Sequence, residues 1–297
     1  MAEDRARGNR RHSRWAAIAL AAAASSAAAT AENPLSASVP DAEPPHVRIE
    51  VIAAQRAVGP DESIWVAVVQ HIDAGWHTYW VNPGDAGVAT RIEWTLPQGY
   101  SVGQPQWPAP RVFRSGPIVS YGYEGQVVTL QQLRAPRAIV PGAVTLVADV
   151  RWLACHDICI PGRESARIEL RQAATTPAER DPAGERRIAA ARARLPADAP
   201  WAATLEVRPQ ELVLRLHAAA GALSSASGLH FLPAEWGHVD NAAPQVVTHE
   251  GGDVLLTLVR GELRDRNVRQ LEGLLRIGSE SEPDAPRTLR VLANATD

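Results

Sequence analysis

Between residues 46 and 172 the sequence alternates short segments rich in Val, Ile and Leu with turns made of Gly, Pro, Asn and Asp. The segments are "HVRIEVIAA" (46–54), "SIWVAVVQHI" (63–72), "TRIEWTLP" (90–97), "QVVTLQQL" (126–133), "AVTLVADVRWLA" (143–154) and "ESARIELRQ" (164–172). None has the 3.6-residue periodicity of an amphipathic helix, and their length and composition are typical of β-strands. Many short strands at this spacing predict an antiparallel β-sandwich.

A change of composition separates this region from a second one. Residues 173–200 are rich in Ala, Arg and Pro, and the pair Asp181-Pro182 predicts the start of a short helix there. Strand-like segments then resume and contain no cysteine. The sequence therefore predicts an all-β protein with two β-sandwich domains, at 46–172 and 201–297, joined by a linker with a short helix.

The N-terminus has the layout of an export signal. Five arginines precede an apolar run from Trp15 to Ala24, and small residues follow. Because this run is shorter than the ~20 apolar residues that a membrane span needs, we expect a cleaved signal rather than a retained anchor. Residues 1–31 are thus a predicted signal peptide and residues 32–45 a predicted disordered lead. The periplasm is the expected compartment.

Composition and motifs exclude several classes of function. With 297 residues, of which 45% are hydrophobic and 21% charged, the chain can bury a core in each domain. Its formal net charge of −3 lacks the basic character of a nucleic-acid-binding protein. The sequence contains no phosphate loop or dinucleotide fingerprint, and its nine histidines form no pair at metal-ligand spacing. We expect no cofactor, no metal and no nucleic-acid partner.

The two cysteines, Cys155 and Cys159, are separated by three residues. If strands lie on both sides, the cysteines face each other across a hairpin loop, close enough for a disulfide. A disulfide across so short a loop adds little entropic stabilisation. The spacing therefore favours a bond that is opened and remade. His156 and Asp157, inside the loop, are candidate modulators of the thiol pKa with opposite effects.

Two alternatives to a redox pair remain open from the residues alone. The disulfide is inert in the first, and it pins one loop of a non-catalytic immunoglobulin-like adaptor. The second is copper handling in the periplasm, because Cu(I) accepts few soft ligands. Structural zinc fits less well, since Cys155, Cys159 and His156 supply three ligands where such sites use four.

Several motifs in a fixed order point to a known family. They are "GWHTYWVNPGDAG" (75–87), "QWPAPRVF" (106–113), "YGYEGQVV" (121–128), "WLACHDICIPG" (152–162) and "FLPAEWGHVDNAAPQ" (231–245). The first four resemble the N-terminal periplasmic domain of the DsbD/ScsB transmembrane thiol–disulfide reductases. The fifth resembles the second periplasmic domain of the ScsB-type members. The resemblance covers roughly residues 46–290.

This resemblance implies an immunoglobulin-like sandwich with a redox pair on a hairpin. Such a domain receives electrons from a membrane thiol reductase and reduces thioredoxin-like or disulfide-containing proteins of the periplasm. Cys159 matches the family cysteine that forms mixed disulfides, and Cys155 matches its resolving partner. The "YGYEG" segment matches a cap loop that shields the pair, so Tyr121 and Tyr123 are candidate cap residues.

Two features depart from the DsbD pattern. The three-residue spacer between the cysteines is shorter than in DsbD and fits the ScsB-like branch better. The membrane domain and the thioredoxin-like domain of the family are missing from this sequence. We therefore expect a separate membrane thiol reductase to donate electrons in trans.

Overall fold

The computed structural model describes residues 46–174, 179–217, 219–223, 228–263, 266–278 and 287–296. The predicted signal peptide and the predicted lead lie outside the described residues. Within the described ranges, no helix has both the length and the apolar character needed to cross a membrane.

The first domain contains eleven strands in the part of the chain that the structure describes. They are β1 (Val47–Ala53), β2 (Ala57–Val58), β3 (Ser63–Ile72), β4 (His77–Gly84), β5 (Arg91–Thr95), β6 (Ser101–Val102), β7 (Arg111–Ser115), β8 (Ile118–Glu124), β9 (Gln126–Arg134), β10 (Gly142–Cys155) and β11 (Cys159–Gln172). A four-stranded sheet has the order β1-β3-β9-β6. A seven-stranded sheet has the order β2-β11-β10-β4-β8-β7, with β5 paired to β10. The six strands expected from the sequence are all present, and five more are additional, namely β4, β7, β8 and the two-residue strands β2 and β6.

The core of the first domain lies between the two sheets. On β10, the even-numbered residues from Val144 to Ala154 are buried, whereas their neighbours are mostly more exposed. This alternation follows from the strand period of two, which turns successive side chains to opposite faces. Trp152 is one of the buried residues, and its ring occupies the space that a Cβ on the paired residue Gly162 would need. We call the opposite surface of the seven-stranded sheet, which carries the odd-numbered β10 residues, the outer face.

The linker helix α1 (Pro182–Arg192) covers the other side of the four-stranded sheet. It begins at the predicted position, where the Asp181 carboxylate accepts a hydrogen bond of 3.1 Å from the backbone N–H of Ala183. Ile188 packs against buried residues of β1, β3 and β9. Since β3 is covered on both faces, its sequence is a nearly continuous apolar run rather than an alternating one.

The described strands of the second domain form a single sheet, which has its own hydrophobic core. Its elements are β12 (Ala197–Asp198), β13 (Ala203–Val207), β14 (Glu211–Leu216), α2 (Ala220–Leu223), β15 (Leu229–Pro233), β16 (Val246–Glu250), β17 (Asp253–Val259), β18 (Gln270–Ile277) and β19 (Arg287–Ala295). The strand order is β15-β18-β19-β13-β14-β17-β16, with β12 paired to β19. The prediction of an all-β protein with two sheet-rich domains is confirmed.

The two domains meet through buried polar contacts. Asn82, at the end of β4, donates a hydrogen bond of 2.8 Å to the backbone carbonyl of Pro233. Asn241 accepts a hydrogen bond of 3.1 Å from the Tyr121 hydroxyl and donates one of 2.7 Å to the Asp85 carboxylate. These contacts join the segments "NPGDAG" and "FLPAEWGHVDN", so part of each motif serves to hold the domains together.

Candidate functional site

The cysteine pair lies at the tip of a long hairpin. Strands β10 and β11 pair antiparallel over their whole length, and the last pair of the register is Cys155 with Cys159. The two residues form a disulfide, with 4.2 Å between their Cα atoms. Inside the loop, the backbone N–H of His156 donates a hydrogen bond of 3.0 Å to the carbonyl of Ile158. The hairpin expected from the sequence is therefore present, and its geometry closes the bond.

The two cysteines differ sharply in exposure. Cys155 lies on β10 between β11 and β4, and it is only 2% exposed. Cys159 is exposed, because the far side of β11 pairs with β2 only at its other end, at Arg171 and Gln172. Within the described residues, Cys159 thus sits on an unpaired sheet edge. Cys159 is thus the accessible residue of the pair, whereas Cys155 is covered.

A histidine on the neighbouring strand lies directly opposite the buried cysteine. His77 on β4 is the cross-strand partner of Cys155, so the two side chains share the outer face. Directly opposed residues have Cβ atoms about 4.5–5.5 Å apart. The His77 ring stacks on Phe113 of β7, with ring centroids 4.6 Å apart and planes 20° apart. Its Nε2 atom lies 3.3 Å from the Tyr79 hydroxyl oxygen. The ring is therefore held from two directions beside the disulfide.

The electrostatic surroundings keep His77 neutral. Burial lowers its pKa below the ordinary value of 6.5; Glu124, its partner on β8, acts in the opposite direction, and His156 lowers the pKa further. Glu124 also forms an ion pair with Arg111 of β7, which offsets part of its negative charge. Burial raises the pKa of Tyr79, so that its hydroxyl keeps the proton.

The loop itself is braced by a stack of aromatic rings. Trp76 stacks on His46, with ring centroids 3.8 Å apart and planes 7° apart. The other neighbour of Trp76 is His156, whose ring lies 6.0 Å away and is tilted by 38°. His156 is about half exposed and its Nδ1 atom lies 3.1 Å from the carboxylate of Asp157. These contacts support one side of the loop, whereas Ile158 is 55% exposed beside Cys159.

The two tyrosines proposed as cap residues lie in strand β8, not in a loop. Tyr121 and Tyr123 are buried in the core of the first domain. Their side chains lie on the face of the sheet opposite to the face that carries Cys155. The Tyr121 hydroxyl bonds to Asn241, and the Tyr123 hydroxyl donates a hydrogen bond of 2.9 Å to the carbonyl of Pro108. Burial raises the pKa of both phenols. Their cap role stays a prediction. Phe113 and Tyr79 are aromatic side chains that share the outer face with Cys155.

Three residues near the disulfide were absent from the predicted site. They are Trp76, His77 and Phe113. The alternation in "HTYW" could have indicated a strand with His77 and Tyr79 on one face, but the following "NPG" has the composition of a turn. Nothing in the sequence pairs this strand with the cysteine hairpin.

Among the described residues, no group of three or more His, Cys, Asp or Glu side chains is arranged to hold a metal ion.

Comparisons with known proteins support a DsbD N-terminal-like domain. Residues 48–169 match the family described as "Thiol:disulfide interchange protein DsbD, N-terminal". Among solved structures, the chain is similar to the N-terminal periplasmic domain of ScsB from Proteus mirabilis, at 18% identity and a TM-score of 0.58. That match covers 84% of this chain and 94% of the other. It shows the shared fold across both domains.

Another match is more distant. It is the reduced DsbD N-terminal domain of Neisseria meningitidis, at 11% identity and a TM-score of 0.25, covering 41% of this chain and 82% of the other. No curated protein sequence matches the chain.

Proposed function

Because residues 48–169 form a DsbD N-terminal-like domain, we propose that this protein relays electrons by thiol–disulfide exchange through Cys155 and Cys159. The electron donor is a membrane thiol reductase acting in trans. The acceptors are thioredoxin-like or disulfide-containing proteins of the periplasm. Residues 1–31 serve as the cleaved export signal in this proposal.

The observation that carries the proposal is the unequal exposure of one disulfide. Exchange requires that one sulfur be reachable for attack in line with the bond and that the other depart. Cys159, exposed on an unpaired edge, meets the first condition, and the buried Cys155 is suited to leave and later return. A disulfide that only stabilised the fold would gain nothing from an accessible edge, and across three residues it adds little entropic stabilisation.

The exchange balances as follows. A thiolate of the donor attacks the Cys159 sulfur, a bond forms between them, and Cys155 leaves with the electron pair. The second donor thiolate then attacks the donor sulfur of this mixed disulfide and releases Cys159. The donor is oxidised to a disulfide, and the pair has gained two electrons and takes up protons from water. In the second half of the cycle, the Cys159 thiolate attacks an acceptor disulfide and forms a mixed disulfide with it. Cys155 then attacks Cys159 and releases the reduced acceptor.

Trapping the intermediate tests this assignment. In a Cys155→Ala variant, Cys159 can still form a mixed disulfide, but no internal thiol resolves it. We expect this variant, produced in a bacterial periplasm, to accumulate adducts that disappear on reduction and contain proteins with paired cysteines. The matched Cys159→Ala variant retains only the buried sulfur, and we expect few adducts from it. Equal trapping by both variants, or by neither, would contradict the relay.

A further inference from the structure

Opening the disulfide places a negative charge on the buried residue Cys155. When Cys159 is attacked, the electron pair goes to the Cys155 sulfur, which is then an anion at a residue only 2% exposed. Burial disfavours a thiolate and makes it a poor leaving group unless a nearby group stabilises the charge. Hence the reaction needs a hydrogen-bond donor or a proton close to Cys155, on the outer face of the sheet.

Two imidazoles flank the pair, and they differ in how they are held. His156 lies in the loop, is about half exposed and is paired with the Asp157 carboxylate, which occupies its Nδ1 atom. His77 lies on β4 directly opposite Cys155, with its ring fixed between Phe113 and Tyr79. The rigid strand position is the better one for meeting a charge that appears at Cys155.

We propose that His77 stabilises the sulfur of Cys155 when the disulfide opens, by donating a hydrogen bond to the thiolate and then delivering a proton to it. This inference rests on the proposed function and names the residue that makes Cys155 a competent leaving group. Tyr79 and Phe113 are positioning residues, because they act on Cys155 only through the His77 ring.

The tautomer of His77 that serves this role is the one in which the Tyr79 hydroxyl donates to Nε2 and the imidazole proton is on Nδ1. Among the described residues, Nδ1 of His77 has no hydrogen-bond partner. That nitrogen is therefore free to donate to a thiolate on the neighbouring strand.

The charges facing His77 explain when it takes up a proton. With the disulfide intact, burial and the loop residue His156 keep the ring neutral, and Glu124, already paired with Arg111, raises its pKa only in part. Tyr79 stays protonated. An anion at Cys155 adds a new attraction for the cationic imidazole and raises its pKa. The ring then binds a proton from water and passes it to the sulfur, so that Cys155 ends as a thiol.

The rate of reduction by dithiothreitol tests the proposal on the full chain without any partner protein. We expect His77→Phe to slow the opening of the disulfide roughly tenfold or more, since a hydrogen bond to a charged group is lost. His77→Gln, whose side chain can donate a hydrogen bond but does not titrate, should recover part of the reduction rate. The rate of this variant should lose the pH dependence that titration of an imidazole causes between about pH 5 and pH 8. Tyr79→Phe should lower the rate by a smaller factor.

Controls separate this role from a structural one. His71→Gln removes an imidazole from β3 of the four-stranded sheet, where it bonds Glu50, and we expect the reduction rate of this variant to match that of the wild type. His156→Gln should change the rate less than His77→Gln. In a Cys159→Ser background, thiolate absorbance at about 240 nm reports Cys155 alone, and His77→Phe should raise the pKa of that thiol. A folded His77→Phe variant with wild-type rate and pH profile would overturn the proposal, as would a larger effect of His156→Gln.

Failure of the role proposed for His77 is distinguishable from failure of the relay itself. If the trapping experiment yields no adducts while His77→Phe still slows reduction by dithiothreitol, the relay is wrong and the role of His77 stands. If adducts form and the His77 variants react like the wild type, the relay stands and the role of His77 is wrong. If His77→Phe does not fold, His77→Gln and the pH profile decide.

Discussion

The two domains of this protein are built from the same kind of strand and differ in what their surfaces carry. The second domain has a core made almost entirely of Leu and Val around Phe231, and the sequence gives it no cysteine. The first domain carries polar and reactive side chains on the outer face of its seven-stranded sheet, where Cys155 meets His77. The disulfide and the histidine opposite it thus lie on one face of the first domain, separate from the core of the second domain, which meets the first domain through Asn241.

The largest effect that tests this separation is expected from weakening the core of the second domain. Leu256 on β17 is fully buried, and Leu256→Ala should lower the free energy of unfolding by about 2–5 kcal/mol, because it removes buried apolar atoms and leaves a cavity. Chemical denaturation measures this loss. The exposed Leu292 of β19 supplies the matched control, and Leu292→Ala should change stability by less than about 0.5 kcal/mol. If the native Leu256→Ala protein were reduced by dithiothreitol much faster or slower than the wild type, the separation would be wrong.

A smaller effect is expected at the contact between the domains. Asn241→Ala leaves the buried Tyr121 hydroxyl without its partner, which should cost about 1–3 kcal/mol, whereas the Asp85 carboxylate still accepts a hydrogen bond from the backbone N–H of Val119. Tyr121→Phe in the same background removes the orphaned hydroxyl, so the two substitutions should be less than additive in a double-mutant cycle. Additive losses would show that the hydrogen bond seen between them is not formed. The exposed Asn294 offers an Asn→Ala control away from the contact.

The smallest effect concerns the linker helix and depends on pH. Arg187 of α1 donates two hydrogen bonds, of 2.5 and 2.8 Å, to Glu50 of β1, and mainly through them the pKa of Glu50 falls from 4.5 to about 2. A carboxyl with a lowered pKa in the folded state stabilises the fold above about pH 4.5, and this contribution is lost as the pH falls toward 2. Because both side chains are partly exposed, Arg187→Ala should cost only about 0.2–1 kcal/mol at neutral pH.

Unfolding curves at neutral pH and near pH 2 check this sign. The difference between the wild type and Arg187→Ala should shrink toward zero at the lower pH. The neighbouring exposed Arg186 gives a control, Arg186→Ala, that removes the same charge without the Glu50 contact. A difference that grows on acidification would contradict the assigned pair.

Much of the first domain follows from its sequence, and the exceptions have a common cause. Strand β8 contains Gly122 and lies in the segment "YGYEG", for which the family resemblance implied a cap loop. In the structure, a Cβ at Gly122 would lie 2.0 Å from the carbonyl oxygen of Thr78, so glycine is needed for close pairing of β8 with β4. Gly84, at the end of β4, is needed for a related reason, because a Cβ on it would lie 2.3 Å from the carbonyl oxygen of Val119. Glycine marks close packing here, and a local pattern does not distinguish that from a turn.

The hairpin and its disulfide could be predicted from the sequence, because strands β10 and β11 are adjacent in the chain and their alternation sets a register that ends at Cys155 and Cys159. The packing of the sandwich sets which cysteine is buried and which imidazole lies opposite it. Both depend on β4 pairing beside β10 and on the edge of β11 staying open at Cys159. Pairing between segments so distant along the chain follows from the packing of the whole sandwich, and no local pattern encodes it.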